Sequence, residues 1–124
     1  MHEASAAIEK LGYTPVKSEL DRLNSLSSSD DVLHEILTLR THGIGGVLFG
    51  FSVEQDDKNV NQYIPALRQG GTSLPDRDYY LKNDARSQTI RTEYLKYVTD
   101  MFKLVGDDEA TAKRKAQNIL ALET

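Results

Sequence analysis

Apolar residues recur at helical spacing in the first third of the chain. Leu20, Leu23 and Leu26 form one stripe, and residues 31–42 carry a second stripe that ends before Gly43. Gly12 is a stop signal that ends a short helical pattern over residues 4–11. Thr14 as N-cap, with Pro15 at the first helical position, is the start signal of the first stripe. The serines at 27–29 are the start signal of the second stripe. The pattern predicts two helices here, preceded by one or two helical turns.

Between residues 47 and 69 the apolar pattern changes to the two-residue period of a strand. The alternating residues are Val47, Phe49, Phe51 and Val53. A polar turn over residues 55–59 follows, and residues 61–69 are predicted to return as a second strand. Pro65 has no N–H to donate, so this strand is expected to lie at a sheet edge or to break there. The segment therefore predicts an antiparallel β-hairpin.

The second half of the chain returns to helical spacing after a loop and a compact turn or short helix over residues 76–81. The clearest helix covers residues 85–105 and ends at Gly106. Its apolar stripe consists of Ile90, Tyr94, Tyr97, Val98, Met101, Phe102 and Val105. Asp107 or Asp108 is expected to cap a final helix, which reaches Thr124 without a cap signal, so we expect the natural protein to continue. The predicted fold class is α+β, mainly helical with four or five helices and one hairpin around residues 47–69.

Composition narrows the classes of function. The chain has 124 residues, enough for one domain, so residues 1–124 are predicted to form a single unit. Apolar residues make up 39% and charged residues 27%, which is typical of a globular domain. The net charge of −4 gives no basic surface for nucleic acid, and no stretch is long and apolar enough for a membrane span. With no cysteine, the chain offers no disulfide, thiolate nucleophile or cysteine-based metal site.

Histidine patterns do not complete a metal site. Zinc peptidases place two histidines one helical turn apart, with a glutamate between them as the base. His34 and Glu35 begin such a pattern, but Thr38 stands where the second histidine belongs. His2 fails in the same way, because Ala6 occupies the required position. We therefore predict no metal site and no catalytic residue in this chain.

Two adjacent tyrosines form the densest polar and aromatic segment. Tyr79 and Tyr80 follow Arg77 and Asp78 in a short loop. Tyrosine buries a large ring while its hydroxyl keeps a partner, so one interpretation is a loop fixed onto the core. The other interpretation is contact with a ligand, since pocket residues often lie on such loops. The apolar stripe over residues 94–102 is interpreted as core or as a domain interface.

Several runs resemble the N-terminal region of the neprilysin and endothelin-converting-enzyme family of zinc metallopeptidases. The matching runs are Leu48-Phe49, then Asp56-Asp57-Lys58-Asn59 before a strand ending in Gln69, then Leu74-Pro75-Asp76-Arg77-Asp78-Tyr79-Tyr80-Leu81. Gly12 with Pro15 and the closing residues 119–123 resemble the family's flanking segments. Met1-His2 stand where vertebrate members carry a cysteine, so the chain resembles a bacterial-type member. The family's H-E-x-x-H zinc motif and its later glutamate ligand are absent.

The resemblance implies a fragment of the non-catalytic N-terminal region of a larger metalloendopeptidase. In the parent it implies zinc, peptide substrates and a catalytic domain of the same polypeptide, with this part restricting access to the cavity and holding no metal itself. It also favours an extracytoplasmic location. The residues expected to hold the hairpin and loop together are Asp56, Asn59, Leu74, Pro75, Arg77, Tyr79 and Tyr80. The alternative is a free-standing helical module whose stripe over residues 94–105 receives a partner protein.

Overall fold

The computed structural model describes residues 8–124, and these divide into two compact units. One unit holds the described residues up to Asn24 together with Leu74–Thr124, and the other holds Ser25–Ser73. The first helical pattern, predicted over residues 4–11, lies partly outside the described residues. Residues 8–11 are helical, and Gly12 follows them with a φ of +51°.

In the first unit, a short 3-10 turn at Thr14–Val16 follows Gly12 and leads into helix α1, Lys17–Asn24. Pro15 lies in the first turn, where its fixed φ suits a helix start, but it is the second residue of that turn and not the first as predicted. The prediction of Thr14 as N-cap is wrong: Tyr13 occupies that position and makes no side-chain cap hydrogen bond. Thr14 lies instead inside the turn.

Three more helices complete this unit: α3 at Asp78–Leu81, α4 at Ala85–Leu104 and α5 at Glu109–Glu123. The side chain of Asp84 caps α4 and that of Asp108 caps α5, each by accepting backbone N–H groups. α4 and α5 pack together around Tyr94, Val98 and Ala116. Partly buried residues surround these three, and they are Leu74, Leu95, Phe102, Ile119 and Leu120.

The second unit begins with helix α2, Ser29–Thr41. Ser28 caps it in a reciprocal capping box: its hydroxyl accepts from the Asp31 N–H, and the Asp31 carboxylate accepts from the Ser28 N–H. The serine-rich run therefore supplies the predicted cap. Gly43, with a φ of +84°, follows the end of the helix as expected.

The predicted β-hairpin follows, with β1 at Phe49–Asp56 and β2 at Asn59–Gln69. The strands pair antiparallel in a two-stranded sheet, in a register that sets Phe49 opposite Gln69. Pro65 stays within an unbroken strand because both strands of such a sheet are edges. At the open end, Gly71 has a φ of +84°, and a Cβ there would lie 2.3 Å from the Val47 carbonyl oxygen. Only glycine fits this close approach.

The mainly helical α+β class with one hairpin is confirmed by these elements. The described residues contain the five α-helices and the 3-10 turn bounded above, besides helical residues 8–11. That residues 1–124 fold as a single unit stays a prediction.

Candidate functional site

The loop before α3 is held by the hydroxyl of one buried tyrosine. Tyr80 is 7% exposed, and its hydroxyl accepts the Leu74 N–H at 2.7 Å. The same hydroxyl donates to Glu123 Oε2 at 2.8 Å. Both its donor and its acceptor capacity are therefore used, as a buried tyrosine requires. Tyr80 thereby ties the start of the loop to the end of α5.

Glu123 joins a second tyrosine to this arrangement. The Tyr94 hydroxyl, on α4, lies 3.0 Å from each oxygen of the Glu123 carboxylate. A carboxylate in the last turn of a helix is disfavoured by the helix dipole, so two hydroxyl donors offset an otherwise unfavourable position. We call Tyr80, Tyr94 and Glu123 the tyrosine–carboxylate cluster. It connects α3, α4 and α5 at one point.

An arginine on α4 holds the other end of the loop. Arg91 Nη1 donates to the backbone carbonyls of Tyr79 at 2.5 Å, Tyr80 at 3.2 Å and Lys82 at 2.8 Å. These carbonyls belong to the last turn of α3 and its exit, where helix carbonyls lack partners within the helix. A guanidinium there satisfies them and adds a favourable interaction with the helix dipole. The loop is thus fixed at both ends.

The remaining predicted loop residues have smaller roles. Leu74 packs against the core of α4 and α5, which favours the interpretation of a loop fixed onto the core. Pro75 and Arg77 are exposed, and the Arg77 carbonyl accepts the N–H groups of Tyr80 and Leu81. That the Arg77 side chain helps to hold the hairpin and loop together stays a prediction. Tyr79 is half-buried and contributes its carbonyl to Arg91.

The two predicted hairpin residues build the turn between β1 and β2. Asp56 Oδ1 accepts the Lys58 N–H at 2.8 Å, and Asp56 Oδ2 accepts from Gln62 at 3.0 Å. These hydrogen bonds, that of the Lys58 N–H foremost, lower the pKa of the Asp56 carboxyl. Asn59 lies opposite Asp56, and its side-chain oxygen accepts the Asn61 N–H at 3.3 Å. Asp56 and Asn59 therefore serve the local geometry of the turn.

The helical stripe on α4 divides between two faces. Tyr94 and Val98 are buried against α5, whereas Tyr97, Met101 and Leu104 are exposed. A cleft of about 400 Å³ lies between α4 and α5 and is lined by Leu95, Lys96, Thr99, Asp100, Glu109, Lys113 and Gln117. Its charged residues include the exposed Lys113–Glu109 pair. The apolar stripe was predicted to be core or a domain interface. Its inner face, with Tyr94 and Val98, is core.

A threonine on α2 occupies the position where a zinc-binding helix would carry its second histidine. Thr38 is one turn beyond His34, and its hydroxyl donates to the His34 carbonyl at 3.0 Å. Across residues 8–124, no three His, Cys, Asp or Glu side chains lie together as metal ligands. The helices in that same range include none with the length and apolar character to cross a membrane.

The family follows from a match over nearly the whole chain. The family model described as peptidase family M13, in its N-terminal part, matches residues 3–124. The chain belongs to peptidase family M13. It corresponds to the N-terminal region of that family's larger enzymes, and the resemblance to neprilysin and endothelin-converting enzymes is confirmed.

Named relatives and a solved structure agree with the M13 assignment. Human endothelin-converting enzyme 1 is 31% identical over 94% of this chain, and Neprilysin-3 of Drosophila melanogaster is 28% identical over 98%. The zinc metalloprotease ZMP1 of Mycobacterium tuberculosis, solved with an inhibitor, is 31% identical over 96% of this chain with a TM-score of 0.82. This M13 chain spans 16% of the length of each of those two relatives and 18% of the solved chain.

Sequence reasoning missed three residues of the M13 chain's best-defined site. Tyr94 was assigned to an apolar stripe, and Arg91 and Glu123 received no role. The resemblance included the closing Leu-Glu step, which was the available signal for Glu123. Its partner Tyr80 is 43 positions away, beyond what local periodicity relates.

Proposed function

We propose that this chain is the non-catalytic N-terminal portion of a neprilysin-like zinc metalloendopeptidase. The observation that carries the proposal is the match to ZMP1: 96% of this chain superposes with a TM-score of 0.82, yet it accounts for only 18% of that zinc metalloprotease. In the parent, zinc would polarise a water for attack on a peptide bond. Among the described residues no three His, Cys, Asp or Glu side chains lie together as zinc ligands, and we assign that chemistry to the rest of the parent.

The tyrosine–carboxylate cluster supports a structural role for this portion. It fixes the loop at residues 74–80 onto the α4–α5 pair through buried hydrogen bonds, and Arg91 secures the exit of α3. A wall that excludes large substrates has to be rigid, because a mobile loop admits them on opening. We infer that this portion packs on the catalytic domain of the same polypeptide and limits the cavity to small peptides.

The experiment compares two purified polypeptides: residues 1–124, and the natural polypeptide encoded by the reading frame past Thr124. Each is given a fluorogenic peptide and, separately, a long unfolded protein, with and without a chelator. We expect chelator-sensitive cleavage of the peptide by the longer polypeptide, poor cleavage of the protein, and no cleavage by residues 1–124. Chelator-sensitive turnover by pure residues 1–124, or a reading frame that stops near Thr124, would contradict the proposal.

The exposed outer face of α4 favours a second candidate function, a free-standing protein-interaction module. Tyr97 is 61% exposed and Leu104 is 70% exposed, so a partner protein has an apolar stripe to bind. A free-standing interaction module predicts a reading frame that ends near Thr124 and a separate binding partner. We also propose the extracytoplasmic location that the family resemblance favours. Fractionation of the source cells tests it, and recovery of the natural polypeptide in the cytoplasmic fraction would contradict it.

A further inference from the structure

The two faces of the β-hairpin differ in chemistry. The register sets Phe51 opposite Leu67 and Val53 opposite Pro65, while Tyr63 lies opposite Gln55. Side chains alternate between faces along a strand, so these residues share one side of the sheet. We call Phe51, Val53, Tyr63, Pro65 and Leu67 the apolar hairpin face. It is the only side of the hairpin with an aromatic and aliphatic surface of this extent.

The opposite side of the hairpin is polar and internally paired. Arg68 donates to both oxygens of Glu54, at 2.6 and 2.5 Å. Ser52 donates to the same carboxylate at 2.7 Å. The pairing with Arg68 is the largest cause of a lowered pKa for the Glu54 carboxyl. This side needs no cover, because charged groups that are paired at a surface remain hydrated.

Among the described residues, most of the apolar hairpin face is exposed. Arg40 of α2 contacts it at one edge, where its guanidinium lies 5.4 Å from the centroid of the Phe51 ring. Val53 is 64% exposed, Tyr63 72% and Leu67 71%, and neither strand contains a buried residue. A two-stranded hairpin is marginal in water unless one of its faces packs on another surface. Contiguous apolar surface of this kind marks an interaction site.

We propose that the apolar hairpin face docks onto an apolar surface of the parent peptidase that lies outside residues 1–124. This inference rests on the proposed function. The solved relative carries the same fold within a chain of which this region is 18%, so more than four-fifths of that polypeptide lies elsewhere. A surface on the same polypeptide meets the hairpin at a high effective concentration, which a second copy does not.

Cysteine accessibility in the natural full polypeptide tests the proposal. Leu67→Cys and Val53→Cys are made singly, and Ile64→Cys, which lies opposite Glu54 on the polar side, is the matched control. Each variant is labelled with a maleimide in buffer and in denaturant, and peptide mass spectrometry quantifies the label at that site alone. We expect Leu67→Cys and Val53→Cys to label roughly tenfold or more slowly in buffer, because labelling waits for local opening. Ile64→Cys is expected to label at similar rates in both conditions.

Three outcomes overturn the docking proposal. Fast labelling of both test sites in buffer means that the face is open to solvent. Equal protection of Ile64→Cys means that the hairpin is buried on both sides. Protection of Leu67→Cys and Val53→Cys that disappears on dilution means that a second copy covers the face.

Peptidase activity of the same samples separates this proposal from the proposed function. Chelator-sensitive cleavage with an accessible Leu67→Cys site refutes the docking and leaves the proposed function intact. Protection of both test sites without any chelator-sensitive cleavage refutes the proposed function and supports only docking of the hairpin onto the rest of the same polypeptide. Retained circular dichroism of each variant shows that the polypeptide still folds.

Discussion

The α4–α5 pair and the β-hairpin satisfy their apolar residues in different ways. In the helical pair, Ala116 is 1% exposed, and its small side chain lets α4 approach α5 closely. In the hairpin, Phe51 is 42% exposed and Leu67 71%, although they face each other across the strands. Each helix of the pair covers the apolar side of the other, whereas most of the apolar hairpin face stays exposed among the described residues.

This difference separates buried residues that stabilise the fold from apolar residues whose side chains stay exposed. Tyr80 and Tyr94 bury their rings and find the Glu123 carboxylate inside the chain. Tyr63 is 72% exposed and has no comparable burial. We therefore expect substitution of Tyr80 or Tyr94 to lower the free energy of unfolding more than substitution of Tyr63.

The largest expected effect is the loss of the Tyr80 side chain. Tyr80→Ala removes a buried aromatic ring, and such substitutions cost about 3–5 kcal/mol of unfolding free energy. Tyr80→Phe keeps the ring but leaves the Leu74 N–H and the Glu123 carboxylate without this partner, so we expect a loss of about 1–3 kcal/mol. Urea denaturation followed by circular dichroism measures both.

The matched control for Tyr80 is Tyr97→Ala on the exposed face of α4. It removes the same side chain from a site that is 61% exposed, so we expect a change within about 0.5 kcal/mol. If Tyr80→Ala and Tyr97→Ala unfold at the same urea concentration, the tyrosine–carboxylate cluster does not stabilise the fold.

Local pattern predicted the elements well because their signals are local. The capping serines before α2, the strand period of β1 and the stop at Gly106 each depend on a few neighbouring residues. Which residues of the α4 stripe are buried and which are exposed depends instead on how much of the surface of α4 is covered by α5. The periodicity of apolar residues relates them to one another along the helix and carries no information about the width of the neighbouring surface.

The candidate site was harder to predict for a related reason. Leu74, Pro75 and Tyr80 were named from the family resemblance, but Glu123, the partner of Tyr80, lies at the far end of the chain. A polar contact between residues 43 positions apart forms only when the helices have packed. Asp56 and Asn59, in contrast, make the short-range contacts that a turn sequence predicts.

A smaller effect is expected on the hairpin side. Leu67→Ser shortens an apolar side chain that is 71% exposed, so in residues 1–124 we expect the unfolding free energy to change by no more than about 0.5 kcal/mol. We also expect less self-association, because the apolar surface becomes smaller. Urea denaturation and light scattering measure the two quantities. A loss comparable to that of Tyr80→Phe would show that the hairpin is packed within the chain after all.

The smallest expected effect is a change in acid sensitivity at the cap of α5. Asp108 accepts the Thr111 N–H at 3.0 Å and the Ala110 N–H at 2.9 Å, and these contacts, that of Thr111 foremost, lower the pKa of its carboxyl. A carboxyl whose pKa is lower in the folded state stabilises the fold above its unfolded pKa of about 3.9, and this contribution is lost as the pH falls through the folded value. Asp108→Asn keeps an oxygen acceptor at the cap but does not titrate.

We therefore expect Asp108→Asn to unfold at nearly the same urea concentration as the unchanged chain at pH 7, and to lose less stability on acidification below pH 4. Asp84→Asn repeats the test at the cap of α4, where the Ser87 N–H is the largest cause of a lowered pKa. Identical acid dependence in both variants and the unchanged chain would mean that these caps stabilise their helices without charge. The acid sensitivity of the α4–α5 pair would then have to arise from an ion pair between the two helices, such as Lys103 with Glu109, where the hydrogen bond from Lys103 is the largest cause of a lowered pKa for the Glu109 carboxyl.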